Sequence, residues 1–327
     1  MSGERVRVSG DPVKVLYIEG AGRSGSTVLD NLLGQLPGFF SVGELRFVWD
    51  RNLLEDRLCG CGRPFGSCPV WSEVVGRAFG GGAVDPHEMI RLREGAVRLR
   101  DTPLAATRWA ERLLRPRSAG YLDVLARLYP AVAGVTGARV VVDSSKYPSY
   151  GLLLGMLPTV DLYVLHLVRD PRGVAHSLRR VKPEPVARGV FEEMQRTGPA
   201  RSAVDWSLCN LLAETFARRA RDRYLPVRYE DFVAEPRATV LRILGHVGEP
   251  ARELPFVGER AVRLGVNHTV SGNPSRFRTG TVELRPDDEW RTRGRPAGRA
   301  LVTALCLPLL ARYGYVGRGR RRRTHPA

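Results

Sequence analysis

Lysine is almost missing from this 327-residue chain. Lys14, Lys146 and Lys182 are the only three, and the other 48 of the 51 basic residues are arginine. So one-sided a choice reads as a coding bias rather than a binding requirement. Acidic residues are also short, 34 in number, which leaves a formal net charge of +17. A charge of that size raises nucleic acid or an anionic membrane as partner. Yet the basic residues are spread along the whole chain and cluster only in the tail "RGRRRR" at 318–323. Nucleic acid is therefore not expected as the main partner, and an anionic small molecule fits the charge as well.

Cysteine is sparse. Cys59, Cys61, Cys68, Cys209 and Cys306 make an odd set, which excludes a disulfide framework. The opening "MSGERVRVSGDP" lacks the apolar stretch of a signal peptide. The longest apolar run, "ALVTALCLPLLA" at 300–311, is too short to span a bilayer and contains Pro308. A soluble protein of a reducing, cytoplasmic setting is expected, with no membrane span.

What is present is an ordinary globular composition, 43% hydrophobic and 26% charged. Four short apolar runs read as strands of a parallel sheet buried on both faces. They are "VKVLYIE" (13–19), "RVVVD" (139–143), "DLYVLHLV" (161–168) and "YLPVRYE" (224–230). Helical patterns separate them, among them "STVLDNLLGQL", "PRGVAHSLRRV" and "PRATVLRILGHVG". Such alternation predicts an α/β fold with helices on both sides of a central parallel sheet. Residues 13–317 read as one domain, and the ends, 1–12 and 318–327, read as disordered. About 120 residues separate the first two strand runs, too many for a bare crossover. Residues 59–135 are expected to form a helical cap over the binding edge, on the acceptor side.

The chemistry starts at "GAGRSGST", residues 20–27. Strand, glycine loop and helix in that order make an anion site, because loop amides and the helix start point at the ligand. The stretch nearly matches the phosphate loop G-x-x-x-x-G-K-[ST], with Ser26 where the lysine belongs. Gly22 and Gly25 let the backbone close in, Ser24, Ser26 and Thr27 supply hydroxyls, and Arg23 can grip an oxyanion in forked geometry. Asp143 ends a strand, where a nucleotide-dependent kinase carries a metal ligand. A kinase reading survives there and fails on the missing lysine. A second anion site lies in "HLVRDPRGVAHS" (166–177), with Arg169 at a strand end and Ser177 in the following helix.

These residues carry a resemblance. "GAGRSGSTVL" resembles the 5′-phosphosulfate loop of sulfotransferases that use 3′-phosphoadenosine 5′-phosphosulfate (PAPS). "LVRDPRGVAHS" is similar to their 3′-phosphate motif, including the spacing from arginine to serine. "RYEDFVAEPRATVLRILGHVG" (228–248) and "NHTVSGNPSRFRTG" (267–280) resemble later segments of the bacterial members, in the same order. The resemblance implies the three-layer P-loop sulfotransferase fold. It implies PAPS as co-substrate and no metal. The activity implied is transfer of a sulfuryl group to a hydroxyl of a small molecule, a glycan or a lipid. A sugar or nucleoside kinase and a non-catalytic nucleotide-binding module are the alternatives.

An acceptor hydroxyl must lose its proton to a base within hydrogen-bond reach. Glu44, His166, His176 and His268 are the candidates. The tyrosylprotein sulfotransferases, and several bacterial relatives, carry a catalytic glutamate after the loop, and Glu44 matches that place. They also carry a lysine after the strand that Lys146 follows here, so Lys146 is expected to stabilise the transferring group or the leaving phosphate. Among cofactor contacts, Ser271 is expected at the phosphosulfate, and Arg276 and Arg278 at the 3′-phosphate or ribose. His166, inside an apolar run, reads as a core histidine. Cys59, Cys61 and Cys68 show neither a standard metal spacing nor an evident fourth ligand, and read first as an unliganded loop, with a small disulfide or a metal site as the lesser alternatives.

Overall fold

The computed structural model describes residues 11–96, 98–107, 109–219 and 221–316. The segments expected to be disordered lie outside them, apart from Asp11 and Pro12.

The chain opens with β1 (Val13–Glu19), α1 (Ser26–Leu33) and β2 (Phe39–Gly43). The long insertion carries α2 (Pro69–Phe79), α3 (Pro86–Gly95) and α4 (Ala110–Thr136). Then come β3 (Val140–Lys146), α5 (Pro148–Leu154), β4 (Val160–Val168) and α6 (Pro171–Arg179). A hairpin of β5 (Pro183–Ala187) and β6 (Val190–Glu193) leads to α7 (Pro199–Arg219), β7 (Tyr224–Arg228), α8 (Tyr229–Ala234) and α9 (Pro236–Val247). The last elements are β8 (Ala261–Leu264), β9 (Gly280–Glu283), α10 (Glu289–Arg293) and α11 (Pro296–Arg312).

Five strands form one parallel sheet in the order β2-β3-β1-β4-β7. The apolar run of β1 is the central strand, with Val15 opposite Val141 on one side and Leu162 on the other. The four expected strands are all there. The fifth, β2, escaped notice because "FFSVG" is five residues long and lies on the sheet's edge. Local signals set the helix ends. Pro236 opens α9, where its missing N–H costs nothing, and Gly248 closes it at φ 68°.

Each sheet face buries its own core. On one, Val15, Tyr17 and Val141 meet Trp71 of α2 and Leu125 and Tyr129 of α4. On the other, Leu16, Ile18 and Val142 meet Leu29 and Leu32 of α1 and Ile243 of α9. A third cluster joins Val174 of α6, Trp206 of α7 and Leu310 of α11. The insertion expected as a cap thus supplies a layer on one face. Its helix α4 packs there because Val15, Tyr17 and Val141 must be covered, and its Tyr129 hydroxyl meets the buried Asp143 carboxylate of β3.

Candidate active site

A parallel sheet carries all its strands' carboxyl ends on one edge, where open α/β sheets bind ligands. At this edge β1 runs into the loop 20–25, β2 into Glu44, β3 ends on Lys146 and β4 runs into Arg169. They border a cavity of about 680 Å³, a volume typical of small-molecule sites. Gly22, Arg23, Gly25, Ser26, Thr27, Glu44, Lys146, Arg169, Ser177 and Arg278 all line it. Its other wall comes from Lys182 and Met194, which flank the β5–β6 hairpin, and from α7 residues such as Arg201 and Leu208. No lining residue comes from 59–135, the segment expected on the acceptor side.

The loop needs its glycines. A Cβ on Gly20 would stand 2.3 Å from the Leu167 carbonyl oxygen, and one on Gly25 2.5 Å from the Tyr229 ring. Four described non-glycine residues have positive φ, and three of them, Arg23 (67°), Lys146 (70°) and Ser271 (55°), are expected site residues. Backbone strain of this kind collects at functional sites. Arg23 donates from Nη2 to Met194 Sδ (3.1 Å), but its buried Nη1 has no partner, and neither has the buried Ser24 hydroxyl. Two orphaned donors in a glycine loop fit an oxyanion ligand such as a phosphosulfate.

Glu44 and Lys146 are aimed by two sheet irregularities. Between Tyr17 and Glu19 on β1, the partner strand β3 advances from Asp143 to Lys146, one residue more. Between Ser41 and Gly43, β2 gains a residue on β3. Extra residues of this kind bend a strand end and redirect its side chains. The carboxylate of Glu44 and the ammonium of Lys146 meet as an ion pair, and Nζ also donates to the Ser144 carbonyl at 3.2 Å. Lys146, expected just beyond a strand, is the strand's last residue.

The segment after β8 closes over this pair. The Glu44 amide donates to the Val270 carbonyl (2.8 Å), and the Asn273 amide approaches the Thr27 hydroxyl (3.4 Å). A Cβ on Gly272 would lie 3.4 Å from the Glu44 carboxylate. Two residues of this segment expected at the ligand do not line the cavity. Ser271 is buried and donates to Asn52 Oδ1 (3.0 Å). Arg276 is buried with Nη1 on the Thr269 carbonyl (2.9 Å) and Nη2 on the Leu58 carbonyl (2.8 Å), so it braces backbone instead of facing the cavity. Burial pushes its pKa down to about 10. The run "SRFR" places arginines two apart, and only Arg278 faces the cavity.

Arg169 is nearly buried. It donates from Nη1 to the Arg23 carbonyl (3.0 Å), ion-pairs with Asp287 (3.0 Å) and lies 4.5 Å over the Tyr229 ring. Lys182, Arg51 and Tyr229 are among the lining residues that were not singled out in the sequence. The scarcity of lysine was the available signal for Lys182. Burial, then the charges of Arg23 and Arg180, push the Lys182 pKa down to about 8.

Asp143, the kinase-type metal candidate, is fully buried away from the cavity. It accepts from the Tyr129 hydroxyl (2.6 Å) and the Ser145 amide (2.8 Å), and burial raises its pKa to about 6. His166 is a satisfied core residue, bonded to Tyr224 and Asn210, with burial lowering its pKa to about 4. His176 sits 3.9 Å from Glu289, and His268 beside the cysteine loop.

Glu19, the residue before the loop, is fully buried, and neither carboxyl oxygen has a partner. Burial raises its pKa well above 4.5. The folded state therefore holds this proton more tightly than the unfolded chain. The stability it contributes is full below 4.5 and is lost as pH rises toward the folded value. Glu19→Gln, which cannot ionise, is expected to gain on the wild type as pH rises, by at most about 1.4 kcal/mol per pH unit. Melting temperatures of both proteins at several pH values check this; a pH-independent difference refutes it.

A model of the sulfotransferase family matches residues 81–253, that is 173 of 327. The match begins beyond the loop at 20–27 and Glu44. No curated protein matches the chain. Among solved structures, the sulfotransferase domain of the Synechococcus PCC 7002 olefin synthase is 20% identical. The alignment covers 97% of this chain and 100% of that one, with a TM-score of 0.52. A sulfotransferase domain from the curacin biosynthetic pathway is 16% identical over 92% of this chain and 98% of its own, with a TM-score of 0.50. At these identities the two structures show a shared fold. With more than half of its length matched by the family model, the chain belongs to the sulfotransferase family.

Proposed function

We propose that the protein moves a sulfuryl group from PAPS to an acceptor hydroxyl, with Glu44 as general base. The observation that carries the reading is the shared cavity. The loop 20–27, the Arg169–Ser177 pair and the Glu44–Lys146 ion pair all open into it. A ligand with anionic groups at both ends of a ribose needs two anion sites on one sheet edge.

The co-substrate supplies the sulfuryl group: a bond from the acceptor oxygen to sulfur forms as the bond from sulfur to the 5′-phosphate oxygen breaks. Glu44 takes the proton of the acceptor hydroxyl, and Lys146 holds its carboxylate in place until then. Lys146 and Arg23 then face the charge that gathers on the leaving phosphate. The loop amides and α1 hold that phosphate, and Arg169 with Ser177 holds the 3′-phosphate. The products are a sulfate ester and adenosine 3′,5′-bisphosphate. Asp143, locked to Tyr129 behind the sheet edge, gives a kinase-type metal no carboxylate in the cavity.

Isothermal titration separates the readings. Adenosine 3′,5′-bisphosphate is expected to bind and ATP with Mg²⁺ to bind far more weakly. Tight ATP binding with no bisphosphate binding overturns the proposal. Bisphosphate binding without any sulfate ester formed from PAPS and a panel of hydroxyl compounds reduces the protein to a binding module.

A further inference from the structure

The four side chains Cys59, Cys61, Cys68 and His268 meet in one place. Their three sulfurs and one ring nitrogen all lie within 4.8 Å of one another. His268 Nδ1 is 3.2 Å from Cys68 Sγ and 3.9 Å from Cys59 Sγ, and Cys61 Sγ is 3.9 Å from Cys68 Sγ. A tetrahedral ion bonded to sulfur at about 2.3 Å and to nitrogen at about 2.0–2.1 Å sets its ligand atoms roughly 3.5–3.8 Å apart. The observed separations bracket that value. They are far too long for a disulfide, whose sulfurs stand about 2.05 Å apart.

We propose that this cluster is a structural zinc site. Three thiolates and an imidazole in tetrahedral arrangement select zinc, and four protein ligands close the coordination shell, which marks a structural rather than a catalytic ion.

The surroundings are those of a built site. Cys59-Gly60-Cys61-Gly62 forms a tight knuckle, in which the Cys59 amide donates to the Arg63 carbonyl (2.8 Å) and the Gly62 amide to the Cys59 carbonyl (2.8 Å). Gly62 takes φ +80° to make the turn. The Cys61 amide faces the Cys59 sulfur and the Trp71 amide the Cys68 sulfur. Such outer donors orient and stabilise thiolate ligands. Cys68 caps α2, and Trp71 Nε1 of that helix donates to the His268 carbonyl at 2.6 Å. Cys59 and Cys68 are fully buried, whereas Cys61 and His268 keep some solvent contact, which gives the ion a way in.

Charge supports the assignment. A divalent ion with three thiolates leaves one net negative charge. The buried guanidinium of Arg276 is opposed by the charge of Glu184 first and of Cys59 next, its hydrogen-bond partners are carbonyls, and its Nε has none. An anionic metal centre on the Cys59 side would add to Glu184 in balancing this buried cation.

The site would clamp the segment 267–273 to the knuckle. Gly60 N already donates to the Thr269 carbonyl (2.9 Å), and a Cβ on Gly60 would lie 1.9 Å from Asn267 Oδ1. Beyond His268 the same segment pairs with β2 at Gly43 and covers Glu44 with Gly272. The zinc is thus a positioning device for the active-site edge, made from residues that touch no substrate.

The test uses the full chain expressed with zinc in the medium and measured by plasma mass spectrometry. About one zinc per chain is expected for the wild type and for Cys306→Ser, and less than about a fifth for Cys68→Ser and His268→Ala. Cobalt(II)-loaded wild type is expected to show strong visible bands of tetrahedral coordination and a near-ultraviolet thiolate charge-transfer band, both missing in His268→Ala. Metal-free, folded wild type overturns the proposal, as does a zinc content that survives in both ligand variants. A Cys61–Cys68 disulfide in the purified wild type overturns it as well. If the variants fail to fold, zinc content and cobalt spectrum of the wild type still decide.

Discussion

Glu44→Gln is expected to lower kcat by about 10²- to 10⁴-fold, the usual contribution of a positioned base, and to leave the affinity for adenosine 3′,5′-bisphosphate unchanged. The amide keeps the shape of the carboxylate but cannot accept a proton. Its surroundings are fixed from several sides: the Glu44 amide is tied to Val270, Gly272 stands over the carboxylate, and Lys146 pairs with it. The substitution therefore removes chemistry more than structure. A rival account makes Glu44 only the counter-ion of Lys146. Neutralising it would then free the ammonium for the anionic ligand. That account requires tighter bisphosphate binding and a small change in kcat, the opposite pattern. Lys146→Met supplies the second arm. Its kcat is expected to fall more than about tenfold, or ~1.4 kcal/mol, because the proposed mechanism sets the ammonium against the leaving phosphate. Steady-state kinetics with PAPS, together with titration of the bisphosphate, reads both variants.

Much of this edge was legible in the sequence, for a physical reason. Strand, glycine loop and helix are consecutive, so the loop at 20–27 and the unit from β4 to Ser177 announce themselves as local patterns. Local pattern does not reveal where a side chain points. Arg276 and Arg278 are two residues apart in one loop and look alike in sequence. One is fully buried against backbone carbonyls and the other faces the cavity. Ser24 and Ser271 share that ambiguity. The aim of Glu44 and Lys146 depends on extra residues in β2 and β3, which exist only relative to their partner strands. The cysteine cluster shows the extreme case. Cys59, Cys61 and Cys68 lie within ten residues, but the fourth ligand candidate is 200 positions beyond Cys68. No spacing rule reaches across the whole sheet, so the set is complete only once β2 has brought the segment 267–270 alongside the knuckle.

Arg169→Ala is expected to weaken binding of adenosine 3′,5′-bisphosphate by about 100-fold, ~2.7 kcal/mol, the scale of a charge-assisted pair held away from water. Adenosine 5′-monophosphate, which lacks the 3′-phosphate, is expected to lose little. The contrast matters because Arg169 also supports the loop, donating to the Arg23 carbonyl at 3.0 Å. If support of the loop were its whole role, both ligands would weaken together. If it grips the 3′-phosphate, the variant should bind the two alike. Asp287 sharpens the case. It pairs with Arg169 at 3.0 Å and with Arg180 at 2.7 Å, so a phosphate entering here must take over one partner of a carboxylate that keeps the other. Arg169→Lys should not restore affinity fully, since an ammonium lacks the planar fork that can hold two phosphate oxygens and stack on the Tyr229 ring. Titrations of the wild type and both variants with the two nucleotides give six affinities. Equal losses for the two ligands in Arg169→Ala would remove Arg169 from the 3′-phosphate site.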